Sequence, residues 1–237
     1  MISKNPLLID ITDKLALAQP DWEELAKSFK AGSLFQFGKF DFGNLVSALS
    51  ELHLIISLEK ICSRYDAETR KKIIFDPIKP GAKVSDYKFA NSRSGQLVVY
   101  RNGKIHSEMD LLVQIDSLPV LFEVKLNVKR KTGRNIDQSP STRGVHHAMD
   151  TKRANYLLTP ICKYFRCANA GYVVVVPKNI SNDVSPIRQE FRERNGIIVP
   201  FYTDKGSFRQ EVAQKNKELK IVDESRLEVH KPFMYPF

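Results

Sequence analysis

The stretch EMDLLVQIDSLPVLFEVKL, residues 108–126, sets Asp110, Glu123 and Lys125 inside two apolar runs. Strands apolar on both sides of a charge belong in the interior of a sheet, where a charge is costly unless paired or bound to an ion. The stretch therefore predicts a buried antiparallel hairpin that carries a polar site.

Alternation puts Glu123 and Lys125 on one face of their strand, with Phe122, Val124 and Leu126 on the other. With DSLP as the hairpin loop, Ile115 pairs with Val120, and Asp110 falls opposite Lys125 with Glu123 as its diagonal neighbour. All three charges then share one face. Two carboxylates so placed repel and need a cation, and a hard divalent ion suits oxygen ligands. On spacing alone an ordinary cross-strand pair of Asp110 and Lys125, with Glu123 solvated, is the simpler account. The apolar residues on both sides favour a functional cluster, since a structural protein rarely buries three charges.

The rest of the chain supplies a frame. DWEELAKSFK after Pro20 reads as a short amphipathic helix, with acids in its first turn. GNLVSALSELHLIISLEKICSRY is a longer helix, apolar around most of its circumference. Residues 66–95, with prolines and glycines among polar residues, suggest a loop-rich insertion. Asn102-Gly103 marks a hairpin between LVVYR and KIHSEMDLLVQI. A helix from about His146 to Phe165, the buried strand GYVVVV, a short helix around PIRQEFRERN, the strand GIIVPFY and a helix near FRQEVAQKNKEL follow. The tail HKPFMYPF reads as an arm. This order predicts an α/β fold with a mixed central sheet flanked by helices. It divides into an N-terminal helical extension, residues 1–43, and a main domain, residues 44–237.

The net charge of +10 favours a polyanionic partner, nucleic acid ahead of a membrane surface. Three cysteines without CxxC spacing argue against a disulfide framework or structural zinc. Acidic residues interrupt the start where a signal peptide needs an apolar core, and no apolar run approaches the roughly 18 residues of a membrane span. A soluble, cytoplasmic protein is expected.

Asp110 followed by Glu123-Val124-Lys125 resembles the motif of the PD-(D/E)XK nuclease superfamily, although Met109 stands where the naming proline would be. The resemblance covers roughly residues 44–220. It implies a restriction-endonuclease-like fold and a Mg²⁺-dependent endonuclease acting on DNA, with Mn²⁺ as a substitute ion. Asp110 and Glu123 would then bind metal with the Val124 carbonyl, and Lys125 would assist the attacking water. Many members add a glutamate from the first core helix. Glu51 is the preferred candidate, ahead of Leu54, Ile55 and Leu58, while Glu59 lies nearer the centre of the apolar face. Two-fold symmetry would suit cutting of both strands of a duplex, so a homodimer is compatible with this function.

Lys129, Arg130, Lys131 and Arg134 follow the motif directly and suit backbone phosphates; Arg143, Lys152 and Arg153 extend the patch. Tyr156 is a further candidate on the same helix. His146 and His147 are adjacent and make no i, i+4 metal pair; they read as helix-start or phosphate-contacting residues. His106 reads as structural. Two rivals stand beside the nuclease: a non-catalytic nucleic-acid-binding module of the same fold within a larger complex, and a structural partner-binding protein without affinity for nucleic acid or divalent ions.

Overall fold

The computed structural model describes residues 5–31, 40–91, 96–126, 151–179, 191, 196–223, 225 and 227–228. Its centre is a five-stranded mixed sheet built from β2 (Ile73–Phe75), β7 (Leu111–Ile115), β8 (Leu118–Val124), β9 (Gly171–Val176) and β10 (Gly196–Pro200). Their spatial order is β10-β9-β8-β7-β2. β8, β9 and β10 run parallel, while β7 is antiparallel to both β8 and β2. All six residues of β9 are buried, as a continuous run of valines at a sheet centre requires.

Four helices cover one face: α1 (Pro6–Leu17), α2 (Trp22–Ala31), α3 (Phe42–Ser63) and α6 (Lys205–Leu219). Leu8, Leu25, Leu49 and Phe208 from these helices join Val113, Phe122 and Val173 of the sheet in one apolar core. Leu49 is fully buried there, and its truncation to alanine should cost about 3 kcal/mol. α1 was not foreseen from its periodicity, yet it carries a start signal. The Asn5 side chain caps it by accepting from the Leu8 N–H at 2.9 Å, and Pro6 occupies the first turn.

The other face is covered by α5 (Thr151–Phe165) and by a second, four-stranded sheet. That sheet comprises β3 (Lys83–Val84), β4 (Tyr87–Asn91), β5 (Leu97–Arg101) and β6 (Lys104–Met109), antiparallel throughout. Leu157 and Ile161 of α5, with Phe89, Val99 and Met109, pack on Leu112, Leu121 and Val174. A short helix, α4 (Ala67–Lys71), and a two-stranded parallel pair, β1 (Phe40–Asp41) with β11 (Leu227–Glu228), complete the described elements.

Two expectations are corrected. Residues 66–91 are no loop-rich insertion: they supply α4, the edge strand β2, and β3 and β4. The prolines and glycines punctuate short strands, and Tyr87 and Phe89 alternate inward. The extended segment 104–115 is two strands, because the chain leaves one sheet after Met109 and enters the other at Leu111. The Asn102-Gly103 turn holds as expected, with both residues at positive φ (51° and 77°). The short helix around PIRQEFRERN (Phe191 excepted) and the tail HKPFMYPF lie outside the described residues. No helix among the described residues is long and apolar enough to cross a membrane.

Candidate active site at the junction of the two sheets

Asp110 is the single residue between the four-stranded and five-stranded sheets. Its Oδ2 accepts a 2.8 Å hydrogen bond from the Val124 N–H. The β7–β8 register differs from the expected one. Ile115 pairs with Leu118, not Val120, because Asp116 and Ser117 form a two-residue turn with φ of 49° and 67°. Leu118 and Pro119 belong to the strand; β8 joins β9 only from Val120, so the missing Pro119 N–H interrupts no β8–β9 pairing. The ladder reaches Leu111 opposite Phe122, which sets Asp110 across from Glu123 and makes Lys125 the diagonal neighbour. A slip of two residues preserves the face, so the three charges still converge.

Glu123 is 2% exposed, in the middle of the sheet. The Lys125 backbone N–H donates to the Val175 carbonyl at 2.9 Å, carrying the β8–β9 pairing one residue past the strand end. Its ammonium pairs with the Glu123 carboxylate and stands 3.8 Å from Asp110 Oδ2. A third of the Lys125 side chain is exposed, which puts it at the mouth of the site. Burial alone would lower the Lys125 pKa, but Asp110 and Glu123 outweigh it and hold the ammonium above its ordinary value.

The fourth charge arrives from the helical layer. Glu51 on α3 accepts a 2.9 Å hydrogen bond from Gln96 Nε2, just ahead of β5. Burial pushes its carboxyl up to about 7, Asp110 pushes in the same direction, and Lys125 and Gln96 oppose them. Gln96 was not anticipated, and no signal in the sequence distinguishes it from any glutamine before a strand. Glu59, the alternative helix acid, is exposed two turns further on, where burial and the charges of Glu24 and Asp76 raise its pKa.

The donor set is all oxygen, as a hard cation requires, and a carboxyl that holds its proton to about 7 beside two others is one that a cation would ionise. Among the described residues no three His, Cys, Asp or Glu side chains close around one point as a metal cage. Mg²⁺ is commonly held by one or two carboxylates, waters and substrate phosphates, so such a cage is not its usual site. The N–H and carbonyl of a strand residue face the same neighbour, so the Val124 carbonyl faces the edge on which its N–H meets Asp110.

Lys129, Arg130, Lys131, Arg134 and Arg143, with His146 and His147, lie outside the described residues, as do the Lys152 and Arg153 side chains at the start of α5. Tyr156 does not join the site. Its ring stacks on His106 at 3.8 Å and its hydroxyl donates to the His106 carbonyl at 2.8 Å. His106 is thereby a packing residue, as expected. No protein-family model matches the chain, and neither the curated proteins nor the solved structures searched include a match.

Proposed function

We propose that this chain is a Mg²⁺-dependent endonuclease of the restriction-endonuclease-like fold that hydrolyses phosphodiester bonds in DNA. One observation carries the reading: Glu51, Asp110, Glu123 and Lys125, from a helix and two strands, meet at the junction of the two sheets. Asp110 and Glu123, with the Val124 carbonyl, would hold Mg²⁺ or Mn²⁺, and Glu51 would add a further carboxylate. Such an ion, when bound, lowers the pKa of a water and neutralises phosphoryl charge. Lys125 orients the attacking water and stabilises charge that develops on the phosphoryl oxygens. The Val124 N–H fixes the Asp110 carboxylate, and Gln96 holds Glu51 in place.

Charge supports DNA as the partner. Beyond the net +10, the outer face of the four-stranded sheet carries a cross-strand row in which Lys83 pairs with Lys88, Lys88 with Tyr100, and Tyr100 with Ile105. Two lysines directly opposite each other repel, and a phosphate backbone would relieve that repulsion. The same face borders an open groove of about 570 Å³.

The test incubates the purified protein with plasmid, single-stranded and branched DNA, with and without Mg²⁺ or Mn²⁺. Cleavage that needs the ion supports the proposal. Retention of DNA without cleavage under any of these conditions would replace it by a non-catalytic binding module, and absence of both would leave a protein-interaction role.

A further inference from the structure

The C-terminal end of α5 places two cysteines in contact. The Cys167 N–H donates to the Cys162 carbonyl at 3.1 Å, and the Arg166 N–H to the Lys163 carbonyl at 3.4 Å. These paired bonds form a Schellman motif, with Arg166 in the left-handed region at φ 52°. The motif turns the chain back so that the residue just past the helix end meets the residue at the start of the last turn. An apolar contact is usual there. Here both positions are cysteine, and the two thiols are hydrogen-bonded to each other. Both are free and half-buried, and both line an open cavity of about 410 Å³ that also admits Lys163 and Arg166. Small molecules can therefore reach the sulfurs.

We propose that Cys162 and Cys167 are a reversible thiol–disulfide site that takes a peroxide as oxidant and staples the end of α5. The step balances as two thiols and one hydrogen peroxide giving one disulfide and two waters. The Cys167 sulfur attacks a peroxide oxygen: an S–O bond forms, the O–O bond breaks, and water leaves. The Cys162 sulfur then attacks the Cys167 sulfur: the S–S bond forms, the S–O bond breaks, and the second water carries away the Cys162 proton. A dithiol reductant reverses the change. Burial and the neighbouring Cys167 push the Cys162 thiol up to about 12, so Cys162 keeps its proton and serves as the resolving partner. From hydrogen-bond contact the sulfurs need only a modest approach to the S–S length of about 2.05 Å, within a backbone turn that already holds them together. Cys62 stands apart: it is buried on α3 and its thiol is pushed up to about 11 by burial, so it is inert. The site is independent of the nuclease reading.

The experiment treats the native full chain with stoichiometric hydrogen peroxide, alkylates it after denaturation, and measures intact mass and a proteolytic map. The expected result is loss of two hydrogens, alkylation of one thiol instead of three, a linked peptide joining Cys162 to Cys167, and full recovery after dithiothreitol. Cys62→Ala should keep the change, whereas Cys162→Ser and Cys167→Ser should each abolish it. The proposal is overturned if all three thiols of the wild type still alkylate, if mass is gained as oxygen on single cysteines, or if only bridges between chains form.

Discussion

Asp110 Oδ2 accepts a 2.8 Å hydrogen bond from the backbone N–H of Val124. That one bond ties the residue at which the chain changes sheets to the strand that carries Glu123 and Lys125. It also predicts how the site can be disabled without loss of the fold. Asp110→Asn keeps an oxygen that can accept from Val124 but removes the charge. The variant should show a native circular-dichroism spectrum and at least about a 100-fold loss of Mg²⁺-dependent cleavage. A variant that cuts like the parent would contradict the site assignment.

Glu51 makes the metal-free protein sensitive to pH. Its folded pKa of about 7 lies above the ordinary 4.5, so between those values the folded state holds a proton that the unfolded chain has released. The stability from that proton is fully present below about 4.5 and is lost as pH rises through about 7. Its size is on the order of 3 kcal/mol. Denaturant titrations in EDTA from acidic to alkaline pH should show this decline in the wild type, and Glu51→Gln should flatten it. An unchanged slope in Glu51→Gln would show that another group titrates.

The same crowding predicts stabilisation by metal. Mg²⁺ should raise the melting temperature more at about pH 8 than at about pH 5, because Glu51 is then ionised and three carboxylates repel. Glu123→Gln should abolish the increment. Equal increments in wild type and variant would place the ion elsewhere.

Lys125 has two roles to separate. Lys125→Met leaves the buried Glu123 carboxylate without its ion-pair partner, at a cost of about 3 kcal/mol in EDTA. Mg²⁺ should recover a large part of that stability yet no cleavage, measured by thermal melting beside a nicking assay. Recovery of cleavage would remove Lys125 from the chemistry.

The paired lysines of the four-stranded sheet give a prediction about binding alone. Lys83→Glu with Lys88→Glu should weaken DNA binding, read by fluorescence anisotropy of the Asp110→Asn background, and reduce the salt slope by about one per lysine. An unchanged slope would move the interface off this sheet.

How far the sequence foretold this arrangement depends on which physical rule governed each part. The convergent face survived an error in the hairpin. DSLP was read as the loop, whereas Asp116 and Ser117 make the turn alone, and a register shift of two leaves Asp110, Glu123 and Lys125 on one side. The break at Asp110 was not legible, since KIHSEMDLLVQI alternates without interruption and only tertiary packing divides it between two sheets. Glu59 looked central on a helix that is apolar nearly all round, because such a helix marks no inward face. Gln96 was invisible because its partner Glu51 is distant in the chain and meets it only in the fold.

The most direct measurement follows supercoiled plasmid with the wild type and Asp110→Asn, each in Mg²⁺ and in EDTA. The account predicts nicked or linear product from the wild type in Mg²⁺ alone, and intact plasmid in the other three reactions. Equal cleavage by Asp110→Asn, or cleavage by the wild type in EDTA, would contradict it.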